Sequence, residues 1–490
     1  GSNGKVGMYG FSYQGLTQML AAGQRPAALA AMAPAMAAGD LFRHWFYVNG
    51  MLRLSTAMGW GTQLARDGAK HGRFIERQDE LVQAIGPMDR WAATLPIERY
   101  PLLRGDPLGR HFFDWISHPT EHPYWDALGM GATWSQVAVP ALHVAGWHDQ
   151  YIIGTIAAYT RLRAEGATPA AREAQRLVIG PWPHQPWTRH VGALDYGPEA
   201  NSPVDALQVA WFDRWLKQPS PPLPRAGEGA GGRGAPSTNG HSRWLLDPPA
   251  GPEDRVQMFV MGANRWQTCP DWPPPTAETL TLYLSSDGRA NSMAGDGRLV
   301  REVPADDPPD VYLYDPRIAT PSGEPGPAPQ RAIENRMDVL VYTSEPLIEP
   351  VVVAGTPEVT LWAASTAEDT DFIVRLTSVS PDGTSRAVVT GGLRARYREG
   401  GTEPVWLEPE RPYRFDFALS PTCQLFPAGH RIRVQVASAA FPLFDRNPNC
   451  RVEPVSAHAL DFQLASQVVL HDHHRPSQIR LPLAPAAWAT

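Results

Sequence analysis

Apolar and polar positions follow three different rhythms along the chain, and each predicts a different kind of structure. The first forty residues read as strand, helix, strand: the apolar run Val6–Phe11, a helix-forming stretch from Tyr13 to Ala22, then the small apolar run Leu29–Ala33. Such alternation belongs to an α/β layer architecture. Between about Asp40 and Thr133 aromatic and charged residues mix at helical spacing, as in Leu41, Phe42, Trp45 and Phe46, then Phe74, Leu81 and Ile85. This segment predicts a mainly helical insertion without strand-like alternation. The α/β pattern returns at Val137–Trp147, a buried strand ending in His148-Asp149, and continues with a helix over about Ile153–Glu165. The strand Arg176–Gly180 leads into Pro181-Trp-Pro-His184, and the amphipathic stretch Val204–Lys217 reads as a closing helix.

From Pro219 to Gly240 the chain is Pro, Gly, Ser and Ala with hardly a large apolar residue, a composition that predicts disorder or a mobile loop. The third rhythm follows it. Short alternating strands are predicted at Val256–Met261, Leu280–Leu284, Val311–Tyr314, Val339–Tyr342, Glu358–Ala363, Phe372–Val379, Arg431–Ala437 and Gln467–Leu470. Turn signals such as Pro381-Asp-Gly383 and Pro427-Ala-Gly429 separate them, which points to a β-sandwich or jelly roll.

Composition narrows the function. At 490 residues the chain exceeds what one hydrophobic core serves, so two or three domains are expected. A formal net charge of −7 gives no basic footprint for nucleic acid. No run of eighteen apolar residues is available to span a membrane. The cysteines, Cys269, Cys423 and Cys450, are too few and scattered for a disulfide scaffold or a zinc cluster. His471-Asp-His-His474 follows a strand at alternating spacing and reads as a surface loop rather than a metal site. No cofactor or metal is implied. No signal peptide is visible, so a cytoplasmic location is favoured, although an export signal could precede Gly1.

The candidate chemistry begins at Lys5-Val-Gly-Met-Tyr-Gly-Phe-Ser-Tyr-Gln-Gly15, which delivers Ser12 from the end of a strand into the start of a helix. That arrangement reads as a nucleophile elbow, with the helix N-terminus favouring developing negative charge. The usual elbow has its second small residue two after the serine, where this chain has Gln14 and then Gly15. Acyl transfer also needs a base for the serine proton and a carboxylate to orient that base. In α/β-hydrolases these follow in the order Ser, Asp, His, at the C-terminal ends of strands. Ser12, Asp149 and His184 supply that order at three predicted strand ends. Competing readings make Asp149 a helix N-cap, His184 a loop residue packed on Trp182 and Trp187, and His148 or His190 the base.

Gly10-Phe-Ser-Tyr-Gln-Gly15, Gly146-Trp-His-Asp149 and Gly180-Pro-Trp-Pro-His184 resemble the active-site segments of the cocaine-esterase and X-Pro dipeptidyl-peptidase family. In that family the late glycine is normal. The likeness continues through Trp211-Phe-Asp-Arg-Trp-Leu-Lys217, Phe259-Val-Met-Gly-Ala-Asn-Arg-Trp266, Tyr314-Asp-Pro316, Asp369-Thr-Asp-Phe372 and Pro427-Ala-Gly-His-Arg431. The resemblance implies an α/β-hydrolase domain over 1–39 and 136–325, with a low-complexity insertion at 219–243. It also implies a helical cap over 40–135 and a jelly-roll β-sandwich over 326–490. Ser12 would be the nucleophile, His184 the base and then the acid, Asp149 the orienting carboxylate, and the Tyr13 N–H an oxyanion-hole donor.

The family's second oxyanion donor is a tyrosine hydroxyl upstream of the nucleophile strand, and only eleven residues precede Ser12. The expectation is therefore a fragment of a longer enzyme or a misplaced start, with Val6–Phe11 left as an exposed edge strand. Loss of one such donor costs about 10²–10³ in turnover. In the family's amino-ester hydrolases acidic residues follow the catalytic aspartate. Here Asp149 is followed by Gln150-Tyr-Ile-Ile-Gly154, so a neutral acyl group is expected, in a pocket lined by Tyr151, Trp60 and, less directly, Trp45. Asp67, Glu76, Asp79 and Glu80 could still anchor an amine, which keeps an X-Pro dipeptidyl-peptidase or α-amino acid ester hydrolase as the alternative. A second alternative is an impaired protein acting only as a binding module. The expected partner is a small ester or short peptide, and a homo-oligomer is compatible with the sequence.

Overall fold

A computed structural model describes residues 2–71, 75–85, 91–217, 252–275 and 278–489 of the chain; Phe74 and the low-complexity stretch 219–243 lie outside them. Strand β1 (Val6–Phe11), helix α1 (Tyr13–Gly23) and strand β2 (Leu29–Ala35) form the expected opening unit, with β1 and β2 parallel. The chain then leaves this layer for about a hundred residues. It returns as β5 (Ala141–His148), after a segment that contains β3 (Tyr47–Val48), β4 (Met51–Leu52) and helix α2 (Leu54–His71). Strand β6 (Gln175–Pro183), the small ribbon β7 (His190–Val191) and β8 (Leu194–Asp195), and strands β9 (Val256–Val260) and β10 (Arg265–Cys269) complete this part.

The resulting sheet has the order β1-β2-β5-β6-β9-β10 and is parallel up to β9, with β10 antiparallel to it. β5 reads as an unbroken apolar run because it lies in the sheet interior, where seven of its eight residues are buried. β1 occupies the edge, with Val6 and Tyr9 exposed, as the sequence led us to expect. One side of β1 is nevertheless covered. A Cβ at Gly7 would stand 2.5 Å from the Phe212 ring, at the end of the helix Val204–Phe212.

The inserted segment packs Trp45, Phe46, Tyr47, Phe112, Trp115 and Trp125 into one aromatic core that also takes in Tyr151 of the hydrolase layer. It is helical for the most part, but the expectation that it lacks strands was incomplete. β3 and β4 pair as a minimal hairpin around Asn49 and Gly50, both at positive φ. Asn-Gly is the favoured filling of such a turn. The tip docks on the sandwich: Asn49 Nδ2 donates to the Gly392 carbonyl and the Arg394 amide donates to the Asn49 carbonyl. Gly50 is required there, since a Cβ would stand 2.2 Å from the Tyr397 ring.

Among the described residues thirteen strands join in one hydrogen-bonded network to make the C-terminal sandwich around Leu282, Tyr342, Leu361, Phe372, Phe415 and Val436. Strands Glu278–Ser285 and Asp310–Tyr314, which the expected boundary near 325 leaves with the first sheet, pair instead with Gln478–Leu483 and Ala465–Leu470 of the sandwich. Strand pairing therefore changes sheets between Cys269 and Glu278. His471 is also not a surface-loop residue. It is buried, with Nε2 2.9 Å from Asp310, whose carboxylate also accepts from Ser286 and Tyr342. Only His473 and His474 stand at the surface as expected, and no metal-holding group of side chains occurs among the described residues. No helix among those residues is long and apolar enough to cross a membrane.

Two histidines in β5 carry a pH consequence. His143 is buried against Gln175 and His148 is half-buried against the Tyr196 hydroxyl, and the loss of water around each ring pushes its pKa down to about 4. In the unfolded chain they take up protons near 6.5, so the unfolded state binds more protons between about 4 and 6.5. Stability should thus be complete above 6.5 and fall as pH drops toward 4, by up to about 3 kcal/mol for each group. Urea unfolding of His148→Gln across that range should show a shallower acid slope than wild type; an unchanged slope would count against this origin.

Candidate active site

Ser12 sits at the junction of β1 and α1 with φ 59° and ψ −131°, a backbone region that L-residues enter at a cost. Two glycines make the bend fit. A Cβ at Gly10 would lie 2.8 Å from Gln14 Cβ, and one at Gly15 would lie 2.6 Å from Ala37 Cβ. Gln14 therefore occupies the space that Gly10 leaves empty, which is how the turn tolerates a large residue two places after the serine. The Ser12 amide donates to the Ala35 carbonyl at 2.9 Å, fixing the elbow to the end of β2. Its hydroxyl makes no capping bond to α1. Tyr13 follows as the first residue of that helix, where amides have no intrahelical acceptor.

Asp149 and His184 come from the ends of β5 and β6. Asp149 Oδ1 stands 2.8 Å from His184 Nδ1; the aspartate side chain is fully buried and that of the histidine is 27% exposed. A carboxylate only accepts, so the Nδ1 proton stays on the imidazole and Nε2 is left as the basic atom. The rival readings separate clearly. Asp149 does not cap the following helix, Ile152–Glu165, whose N-cap position is Tyr151. His148 is committed to Tyr196, and His190 lies in the β7–β8 ribbon beside Asp195. The His184 ring lies 5.6 Å from that of Phe11, the residue before Ser12, and 5.1 Å edge-on from Tyr151. These contacts bring the third candidate to the elbow.

The aromatic candidates converge on the same place. Trp60, on α2, lies 5.6 Å from the Tyr13 ring, while Trp45 packs on Tyr151 at 4.4 Å and is buried. Thr56, one turn before Trp60, donates to Gln150 at 3.2 Å. One face of α2 thus rests on the residues after Ser12 and after Asp149. The acidic candidates are placed differently. Asp67 is two turns beyond Trp60 and is held by Arg66, Glu80 pairs with Arg77, and Glu76 and Asp79 face solvent. One residue escaped the sequence reading: Arg53, next to α2 and only 6% exposed. A charged residue flanking a helix is ordinarily solvated, so no local signal marks it.

Comparison with known proteins fits this geometry. Residues 1–186 match the family model for X-Pro dipeptidyl-peptidases of the S15 family, and residues 250–480 match that for the X-Pro dipeptidyl-peptidase C-terminal non-catalytic domain. Cocaine esterase of Rhodococcus sp. (strain MB1 Bresler) is 32% identical over 505 aligned positions, covering 98% of this chain and 81% of that protein. The chain belongs to the S15 and cocaine-esterase family. A putative serine esterase of Mycobacterium bovis is 26% identical, covering 91% of this chain and 73% of its own length. The crystal structure of an aminopeptidase from a marine sediment Thaumarchaeota archaeon superposes with a TM-score of 0.79 at 25% identity, over 99% of this chain and 77% of that one. This chain is therefore a serine hydrolase with an α/β-hydrolase layer and a C-terminal β-sandwich.

Proposed function

We propose that Ser12, Asp149 and His184 act as a catalytic triad that cleaves carboxylic esters of neutral acyl groups through an acyl-enzyme. The observation that carries this reading is the 2.8 Å contact of Asp149 with His184, with the imidazole beside an elbow whose serine hydroxyl is free of capping. His184 Nε2 takes the Ser12 proton as Oγ attacks the acyl carbonyl, and Asp149 stabilises the imidazolium that forms. The Tyr13 N–H, aligned with the α1 dipole, donates to the oxyanion. His184 then protonates the departing alcohol, and water repeats the sequence to release the acid. Trp60, Tyr151 and Trp45 line the acyl side.

A neutral acyl group is favoured over an α-amino one because no carboxylate follows Asp149 and the cap acids are solvated or paired away from Tyr13 and Trp60. Arg53 adds like-charge repulsion against an ammonium group. A small ester is then the substrate. The test is to compare p-nitrophenyl butyrate with Ala-Pro-p-nitroanilide. Efficient turnover of the first and poor turnover of the second is expected; the reverse order would assign the site to X-Pro peptides.

A further inference from the structure

Arg53 is the buried charge that the triad chemistry leaves unused. Its Nε is sealed from solvent without a hydrogen-bond partner, and no hydrogen bond or ion pair to a described residue engages its guanidinium. Burying that Nε–H unmet is costly, because it has given up water for nothing, whereas the two Nη groups keep contact with solvent. Its position explains what it could be kept for. Arg53, Thr56 and Trp60 are spaced i, i+3 and i+7, which places them on one face of the helical segment. Thr56 on that face touches Gln150, and Trp60 touches Tyr13. Arg53 senses the charge of Asp149 and the Tyr151 hydroxyl, and burial lowers its pKa. A second unmet donor lies close by: Trp45, stacked on Tyr151, has its Nε1 buried without a partner.

The open Nη groups of Arg53, without an acceptor among the described residues on the acyl side, describe a place for an oxygen. The charge of that oxygen follows from its surroundings. Asp149 already offsets Arg53, and its Oδ2 is itself buried without a partner, so a second carboxylate would meet uncompensated repulsion. A neutral acceptor escapes that penalty while satisfying the donors. We propose that Arg53 selects acyl groups that carry a neutral acceptor oxygen, such as a keto, ether or ester carbonyl group, along the acyl chain. The proposal rests on ester hydrolysis at Ser12 and names the acid from which the ester is made.

The experiment uses three p-nitrophenyl esters of matched length: pentanoate, 4-oxopentanoate and the hemiglutarate, each corrected for its rate with hydroxide. Wild type should show kcat/KM for the 4-oxopentanoate about 10- to 100-fold above the pentanoate, the range that a hydrogen bond to a charged donor supplies. The hemiglutarate should fall below the keto ester. In Arg53→Met the ratio of keto to plain ester should collapse toward one, while Arg53→Lys should keep part of it. A ratio near one in wild type, a ratio that survives Arg53→Met, or a hemiglutarate that outruns both would overturn the assignment of Arg53. Those outcomes leave ester hydrolysis standing. Failure to turn over even the pentanoate would remove ester hydrolysis itself, and the Arg53 proposal with it. Because the wild-type ratio decides the matter alone, a variant that fails to fold does not protect the proposal.

Discussion

Replacing Ser12 by alanine should lower kcat for p-nitrophenyl butyrate by about 10⁶-fold, the scale on which a triad acts as a unit. Asp149→Asn should cost about 10⁴-fold, because an amide in that place no longer holds the imidazole in its productive tautomer. The same serine carries a second, opposite expectation for stability. At φ 59° and ψ −131° its backbone is in a region that costs of order 1–3 kcal/mol for a residue with a Cβ and little for glycine. Ser12→Ala keeps the Cβ and should unfold near the wild-type midpoint. Ser12→Gly removes it and should unfold at a higher urea concentration, worth about 1 kcal/mol after glycine's extra chain entropy is deducted. An enzyme that gains stability on losing its nucleophile is storing strain at the elbow. If Ser12→Gly is destabilised relative to Ser12→Ala, the elbow is unstrained in solution; if Ser12→Ala keeps more than a hundredth of the activity, Ser12 is not the nucleophile.

The elbow was legible because its requirements are local. A parallel strand must offer an apolar run to the helices packed on it, a tight turn into a helix must have small neighbours, and β1, α1 and β2 satisfy both within thirty residues. The ends of β5 and β6 were legible for the same reason, and the order of Ser12, Asp149 and His184 added information that no single segment holds. What escaped the reading depends on distant residues. The β3–β4 hairpin has two residues per strand, too short for alternation to register, and only Asn49-Gly50 marked it. Strands such as Val351–Gly355 and Thr422–Phe426 pair with each other across the sandwich, and their short apolar runs do not identify their partners. His471 looks like part of a solvated histidine tail until Asp310 arrives from a remote strand to bury it. Arg53 is the same case with greater consequence: its burial is set by the cap folding back over Asp149 and Tyr151.

The largest stability effect outside the site is expected at Arg394, which joins the cap to the sandwich. Its guanidinium makes two 2.9 Å bonds to the carboxylate of Asp371 and a third at 2.9 Å to Asp445, and Nη1 donates to the Gly50 carbonyl at 3.0 Å. Asp445 in turn accepts from the Leu52 amide, so the hairpin tip and the ion cluster form one unit. Both carboxylates and the guanidinium are almost wholly buried. Burial raises the pKa of Asp445, whereas Asp371 and Asp445 outweigh the burial of Arg394 and keep it charged. Arg394→Met would leave two carboxylates without their cation, a loss of about 3–5 kcal/mol. Its pH dependence distinguishes this cause from a packing defect. Freed of Arg394, the Asp445 carboxyl, already raised by burial, titrates further above its unfolded value, so the folded chain binds more protons as pH falls. The variant should therefore recover part of its deficit between pH 8 and pH 5, relative to wild type measured alongside. Undocking of the hairpin would also loosen α2, raising KM for the butyrate ester more than it lowers kcat. Urea midpoints at the two pH values decide it: a variant within 1 kcal/mol of wild type, or one whose deficit is the same at both, would show that this cluster does not hold the cap in place.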